Sequence, residues 1–255
     1  MTLRQHASVP LADPQFPPAF TGHPVAAGHD PFGAAVQAAM TGTHGAGDLF
    51  WSCDTDRAAA AIVLEPDVAL SQAAQMLPLL MVAIADALGG IGPPNLALTF
   101  RWPGTILANG AVIGGVRLHA CGARDPASIR ERLVAGFALT IAASRNGPAE
   151  PGHDLAATAL MEEGCGEMDR TLIIEAVARH FLSWIDDWTH DGFGSAHQSW
   201  TARTDARGEP VEIVLGDTIH RGTMIGLDES GGALLTIGEH TMLLPLTDAV
   251  TGADA

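Results

Sequence analysis

The spacing of hydrophobic and polar residues predicts short strands interrupted by a few helices. Runs of apolar residues bounded by turn residues predict strands at 47–53, 58–65, 95–101, 111–120 and 133–142. Apolar residues at helical spacing predict helices at 31–40, 69–88 and 169–191, with a shorter helix at 154–159. Asp30 suits the N-cap of the first helix, Pro78 predicts a kink in the second, and Gly89 and Gly90 predict its end.

From residue 209 onward the pattern changes to four or five short strands with tight turns between them, typical of a small barrel of about 40 residues. The order of elements predicts an α+β fold, in which a mixed, mostly antiparallel sheet carries helices on one face. We expect an extended N-terminal arm at 1–24, a main domain at 25–208, the barrel at 209–248 and a tail at 249–255.

Composition and charge exclude several partners. The chain contains no lysine, all 13 basic residues are arginine, and the formal net charge is −16. Such an acidic surface repels phosphate backbones and anionic lipid headgroups, so neither nucleic acid nor membrane is an expected partner. The longest apolar run, 78–87, is too short to span a bilayer.

The three cysteines, Cys53, Cys121 and Cys165, form neither a disulfide framework nor a metal-binding pattern. No metal is therefore expected. Without a basic stretch followed by an apolar run at the N-terminus, a reducing cytoplasm is the expected location.

Three motifs resemble those of the biotin and lipoate protein ligases, in the same order and with compatible spacing. Arg101-Trp102-Pro103 followed by Val112-Ile-Gly-Gly-Val116 resembles a paired-strand motif of the family. The helix at 172–192 followed by Trp200, and the barrel residues from Pro210 onward, resemble the family's late helix and its C-terminal SH3-like domain. The resemblance covers roughly 25–248 and points to a bacterial branch of the family. It implies the ligase fold followed by an SH3-like barrel.

The same comparison reveals three departures from the family's chemistry. The family places a lysine at the position of Val112, and valine can neither donate a hydrogen bond nor neutralise a phosphate. A Gly/Arg-rich loop that binds the acyl-adenylate is replaced by the turn 54–57, which carries two aspartates. The Asn-Asp pair after Trp-Pro becomes Gly104-Thr105. We therefore expect no catalytic residue and no cofactor.

The apolar part of the family's site is retained. We expect Trp51, Trp102 and Ile113 to line a slot, and Gly114 and Gly115 to let a ligand approach the backbone. Arg101 or Arg117 is suited to hold a carboxylate. Ordinary core positions for the tryptophans and ordinary surface positions for the arginines are the alternatives.

Three hypotheses for the function remain open. The first is a ligase-like protein without ATP-dependent transfer that binds a small carboxylic acid or a carrier domain. The second is an active ligase or acyltransferase for biotin, lipoate or octanoate, in which ATP and the acid are bound by a rebuilt site that uses Arg101 or Arg117. The third is an interaction module. Since dimers through the sheet occur in the family, a homodimer is a further expectation.

Overall fold

The computed structural model describes residues 11–121, 127, 129, 131–142 and 156–252. The strands are β1 (Thr21–Val25), β2 (Asp48–Ser52), β3 (Arg57–Leu64), β4 (Leu98–Arg101), β5 (Thr105–Ala108), β6 (Ala111–Ala120), β7 (Leu133–Thr140), β8 (Pro210–Leu215), β9 (Thr218–Leu227), β10 (Ala233–Ile237), β11 (His240–Leu244) and β12 (Thr251–Gly252). The helices are α1 (Pro31–Thr41), α2 (Leu70–Ala73), α3 (Met76–Ile91), α4 (Arg170–Asp191) and α5 (Gly194–Thr201).

The large sheet has the strand order β1-β2-β3-β7-β6-β5-β4, and β12 pairs with β6. Most of its neighbours are antiparallel, as in the β2–β3 hairpin, where Leu49 is opposite Ile62. The exceptions are β1, which lies parallel to β2, and β12, which lies parallel to β6. The predicted mixed, mostly antiparallel α+β fold is confirmed.

Helices cover both faces of the sheet, so the prediction of helices on one face is wrong. Helices α3 and α4 pack on one face over the main core. Helix α1 packs on the opposite face, where Phe32 and Ala35 contact a smaller core. We call this second surface the α1 face. The alanines of β3 make both contacts possible, because small side chains let a helix approach the sheet from either side.

The second helix begins within one residue of its prediction, but it differs in its interior, where a break at residues 74–75 replaces the kink expected at Pro78, and at its end. It is divided into α2 and α3, and Pro78 lies in the first turn of α3, where its missing N–H costs no hydrogen bond. Gly89 and Gly90 do not end it; α3 continues to Ile91 and is followed by Gly92. The stretch Leu70–Ile91 is apolar and long enough to cross a membrane by composition alone, but 78% of its most apolar window is buried inside the protein, as in a core helix.

Three further local differences concern short segments. Strand β5 and helix α5 were not predicted. Of the predicted helix at 154–159, residues 154 and 155 lie outside the described residues, and the remainder is not helical because Ala157 forms a bridge with Val112. The arm proposed for 1–24 contributes β1 at its end, and residues 1–10 lie outside the described part.

Beyond the large sheet, β8 to β11 form an antiparallel four-stranded sheet in the order β11-β10-β9-β8. Ile213, Met224 and Leu235 are buried on its inner side. This arrangement is compatible with the expected SH3-like domain. After it the chain returns to the large sheet, where Thr251 lies beside His119.

Candidate functional site

An ion pair lies at the N-terminus of α1, on the α1 face of the sheet. Asp30 caps the helix by accepting the N–H of Phe32 at 3.1 Å. The same carboxylate accepts Nη2 of Arg117 at 3.0 Å on each oxygen. The Arg117 guanidinium also lies 4.3 Å from the centre of the Phe32 ring, a cation–π distance. Arg117 is thus held in place by an ion pair with Asp30 and a cation–π contact with Phe32, while 54% of its side chain stays exposed.

A second charged network occupies the turn between β2 and β3. Asp54 accepts the hydroxyl of Ser52 at 2.6 Å and the N–H of Gly28 at 2.7 Å. Its oxygen Oδ2 also accepts Nη2 of Arg57 at 3.1 Å. Burial alone would raise the pKa of the Asp54 carboxyl, but these hydrogen bonds and the charge of Arg57 together lower the pKa below its ordinary value of 3.8. The residues of the turn therefore stabilise the ionised form of Asp54.

Replacing Asp54 with asparagine is expected to destabilise the protein at neutral pH by about 1–2 kcal/mol. Because the pKa of Asp54 is lower in the folded chain, its ionised form favours folding. This contribution is present in full above the ordinary carboxyl pKa and is lost as the pH falls through the folded-state pKa. Urea unfolding at pH 7 and at pH 3 should show the difference between Asp54→Asn and wild type shrinking at low pH. The exposed Asp187→Asn is the control, and an equal difference at both pH values would refute the assignment.

Val112 lies at the end of the sheet nearest to this turn. Register places Arg57 opposite Thr140 and Leu139 opposite Gly114, so Arg57 and Val112 end strands that are separated only by β7. Ile113 is the extra residue of a β-bulge, and Val112 pairs with Leu107. Because Ile106 and Ala108 on either side of Leu107 point into the main core, Leu107 and its partner Val112 face the other side of the sheet, the α1 face. Both backbone groups of Val112 are used, its N–H by Ala156 and its C=O by Thr158. Val112 therefore offers this face only an aliphatic side chain.

Gly114 and Gly115 are required by the neighbouring strands. A Cβ on Gly114 would lie 2.0 Å from the carbonyl oxygen of Ala138, and Gly114 has a φ of +153°. A Cβ on Gly115 would lie 2.6 Å from the carbonyl oxygen of Gly104. The space that these glycines leave is thus occupied by the protein's own backbone.

Trp51 lies in the main core, on the other side of the sheet from Arg117. Its ring stacks against the guanidinium of Arg170, 4.9 Å from the ring centre. Arg170 is itself buried and donates Nη1 to the carbonyl of Ser52 at 2.9 Å. Trp51 therefore has a packing role at the end of β2.

Trp102 and Arg101 lie at the opposite edge of the sheet. Trp102 is buried and donates Nε1 to the carbonyl of Gly231 at 3.0 Å, which ties the large sheet to the C-terminal sheet. Arg101 donates Nε to Asp205 at 2.7 Å. Four strands separate β2 from β4, a distance of about 24 Å at normal strand spacing. Trp51 and Trp102 consequently cannot line one slot, which corrects that expectation.

The partners of the arginines are the residues that sequence reasoning missed. Asp30 was identified only as a helix cap and Asp54 only as a turn residue, whereas each carboxylate also binds an arginine. Asp30 and Arg117 are 87 residues apart, so no local pattern connects them. Within the described part of the chain, no group of three or more His, Cys, Asp or Glu side chains is placed to hold a metal ion.

Comparison with known proteins identifies the family. The sequence model of the Biotin/lipoate A/B protein ligase family matches residues 16–202. The chain belongs to this family. It is 26% identical over 203 residues to the biotin–[acetyl-CoA-carboxylase] ligase of Paracoccus denitrificans, covering 79% of this chain and 83% of the ligase.

Solved structures agree with this membership. A biotin protein ligase-like protein of unknown function from Silicibacter sp. TM1040 is 34% identical and has a TM-score of 0.83, with 93% of this chain and 99% of that chain covered. The biotin protein ligase of Aquifex aeolicus has a TM-score of 0.69 at 17% identity, covering 88% and 95% of the two chains, and supports the fold alone.

The two arginines described above on the α1 face, Arg57 and Arg117, are both paired with carboxylates. The position that the sequence resemblance assigns to the family's lysine holds Val112. Each of the two guanidinium groups is already neutralised by a carboxylate, so neither supplies net positive charge to a phosphate, and Val112 supplies none.

Proposed function

We propose that this member of the biotin/lipoate ligase family does not activate an acid with ATP and instead binds a small carboxylic acid, free or on a carrier domain, on the α1 face. The observation that carries the proposal is the pairing of Arg57 with Asp54 and of Arg117 with Asp30 on the α1 face, to which Val112 adds only an aliphatic side chain. Removing one contact to a developing charge typically costs a factor of about 10² to 10³ in rate. Three such contacts are replaced in this chain.

Arg117 is the residue we propose for recognition of the acid. Only Nη2 is occupied by Asp30, and within the described ranges Nε and Nη1 have no hydrogen-bond acceptor. A carboxylate can therefore add to the free N–H groups while Asp30 and Phe32 keep the guanidinium in place. Arg101 is also bound to one carboxylate, that of Asp205, but it lies on the edge strand β4, beyond β5 from Val112 and Arg117 on β6.

Pyrophosphate release tests the absence of adenylation. The purified chain is incubated with ATP, Mg²⁺ and biotin, lipoate or octanoate in turn, with the Paracoccus denitrificans ligase and biotin as the positive control. We expect no release above the rate without acid. Turnover with any of the three acids would contradict the proposal and support an active ligase or acyltransferase with a rebuilt site, which is favoured by the relationship to the Paracoccus enzyme.

Thermal shift with the same acids, without ATP, tests the binding role. At least one acid should raise the melting temperature of wild type, and Arg117→Met should abolish the shift. Arg179→Met is the matched control, because Arg179 is also a half-exposed arginine paired with a carboxylate. No shift with any acid would favour the interaction module instead.

We also propose a domain boundary, a location and an oligomeric state for the chain. The main and SH3-like domains meet near residue 208, supported by the start of β8 at Pro210. A cytoplasmic homodimer is the state we expect, and sedimentation of the purified chain tests it.

A further inference from the structure

A cleft of about 590 Å³ lies between the helices over the main core and the turn that joins β9 to β10. Residues between 67 and 75 and the end of α4 line it, together with Glu229 of the turn. Its volume is in the range of roughly 300–1,000 Å³ that small-molecule sites occupy. The cleft is distinct from the α1 face around Arg117, so its occupancy does not depend on the proposed function.

Gln75 is a buried polar side chain with a free hydrogen-bond donor in this cleft. The residue is only 7% exposed, and its Oε1 accepts Nε1 of Trp188 at 2.8 Å. Its Nε2, which carries the two amide N–H groups, has no acceptor within the described ranges. This nitrogen is not sealed inside the protein, so it opens into the cleft that Gln75 lines. Because buried donors are almost always paired, an occupant of the cleft is expected to accept from Gln75.

Hydrogen bonds hold the walls of the cleft in place. At the end of α4, the N–H of Gly192 donates to the carbonyl of Trp188 at 2.9 Å. In the turn that carries Glu229, Oδ1 of Asp228 accepts the N–H of Gly232 at 2.7 Å. The cleft is therefore formed before any ligand arrives, which lowers the entropy cost of binding.

The mouth of the cleft offers hydrogen-bond acceptors. Asp67 and Glu229 line it, and neither carboxylate has a hydrogen-bond or ion-pair partner within the part of the chain that the structure describes. The hydroxyl of Thr189 donates to the carbonyl of Ile185 at 2.8 Å, so toward the cleft its oxygen can only accept. A ligand must therefore accept a hydrogen bond from Gln75 at the bottom and donate hydrogen bonds at the mouth.

We propose that this cleft binds a small polyhydroxylated molecule, of monosaccharide size and without negative charge. Hydroxyl groups meet both requirements, because each of them donates and accepts. Trp188 is partly exposed and lines the cleft, and the C–H groups of a sugar ring pack well against the negative face of an indole. A sugar acid is disfavoured, because its carboxylate would lie against Asp67 and Glu229.

Three sugars with the same ring test the ligand class and its charge. Saturation-transfer NMR titrations of the full chain compare glucose, glucosamine and glucuronate. We expect glucose and glucosamine to bind with millimolar dissociation constants, and glucuronate to bind about tenfold more weakly or not at all. No detectable binding of glucose and glucosamine, or binding of glucuronate as tight as that of glucose, would overturn the proposal.

Two variants locate the binding in the cleft. Gln75→Glu keeps an acceptor for Nε1 of Trp188 but replaces the amide donor with an oxygen, so glucose should bind about tenfold more weakly. Thr189→Trp fills the mouth of the cleft from an exposed position on α4 and should abolish binding. Ser183→Trp, exposed on the same helix but outside the cleft, is the matched control and should bind glucose as wild type does.

The melting temperature of each variant is measured first. Because Thr189 is exposed, Thr189→Trp decides the question alone if Gln75→Glu does not fold. Unchanged glucose binding by folded Thr189→Trp would place the sugar elsewhere and refute the assignment, whatever the result for Arg117.

Discussion

Gly114→Ala is expected to lower the free energy of unfolding by about 3 kcal/mol or more. Two effects act together at this position. A Cβ would lie 2.0 Å from the carbonyl oxygen of Ala138, and that atom belongs to the backbone of β7 and cannot rotate away. The φ of +153° also disfavours any L side chain. Relief would require β6 and β7 to separate at the centre of the sheet.

Urea unfolding of Gly114→Ala measures this loss, and Gly89→Ala is the control. Gly89 lies near the end of α3, where a methyl group added at its Cα would meet no heavy atom within 4 Å, so alanine there should stabilise the helix by about 0.5–1 kcal/mol. If Gly114→Ala unfolds at the same urea concentration as wild type, the glycine is not required by the strands. The role of Gly114 would then be the one expected from the sequence, to let a ligand approach the backbone closely.

Trp102→Ala is expected to cost about 3–5 kcal/mol, the usual range for removing a buried aromatic side chain. Trp102 is only 7% exposed, and its Nε1 holds the carbonyl of Gly231 at 3.0 Å. Trp102→Phe keeps much of the buried apolar surface and loses this hydrogen bond, so about 1–2 kcal/mol is expected. Because this contact joins the two sheets, we expect the large sheet and the C-terminal sheet of the alanine variant to unfold in two separate transitions.

Urea unfolding followed by circular dichroism measures both Trp102 variants. The graded loss from phenylalanine to alanine distinguishes a packing role from a ligand-binding role. A tryptophan that only lined a binding site would be replaced at a cost below about 1 kcal/mol, because surface substitutions rarely exceed about 0.5 kcal/mol. That result would restore Trp102 to the ligand-binding residues.

Local chemistry explains which elements of the fold were predictable. The start of α1 follows from Asp30 and Pro31, since a capping carboxylate and a first-turn proline act within a few residues. The turn Asn109-Gly110 between β5 and β6 also carried a usable signal. Both residues have positive φ, 49° and 90°, as a two-residue hairpin turn requires, and this pair could have revealed the missed strand β5.

Contacts between distant segments explain what the sequence could not reveal. Gly89 and Gly90 remain helical although glycine is a poor helix former, because the preceding turns of α3 are held in the core against α4. The candidate site depends on distant partners in the same way. Arg117 and Arg101 were recognised as cations, but their partners Asp30 and Asp205 are 87 and 104 residues away.

Binding of an acyl-adenylate is the most direct measure of whether this site shelters an anionic phosphate. A non-hydrolysable biotinyl-adenylate analogue that keeps a charged phosphodiester is titrated calorimetrically into this chain and into the Paracoccus denitrificans ligase. We expect saturable binding by the ligase and no measurable binding by this chain up to millimolar concentration. Micromolar binding by this chain that is lost in Arg57→Met or Arg117→Met would show that these arginines leave their carboxylates to hold the phosphate, and would contradict the loss of adenylation.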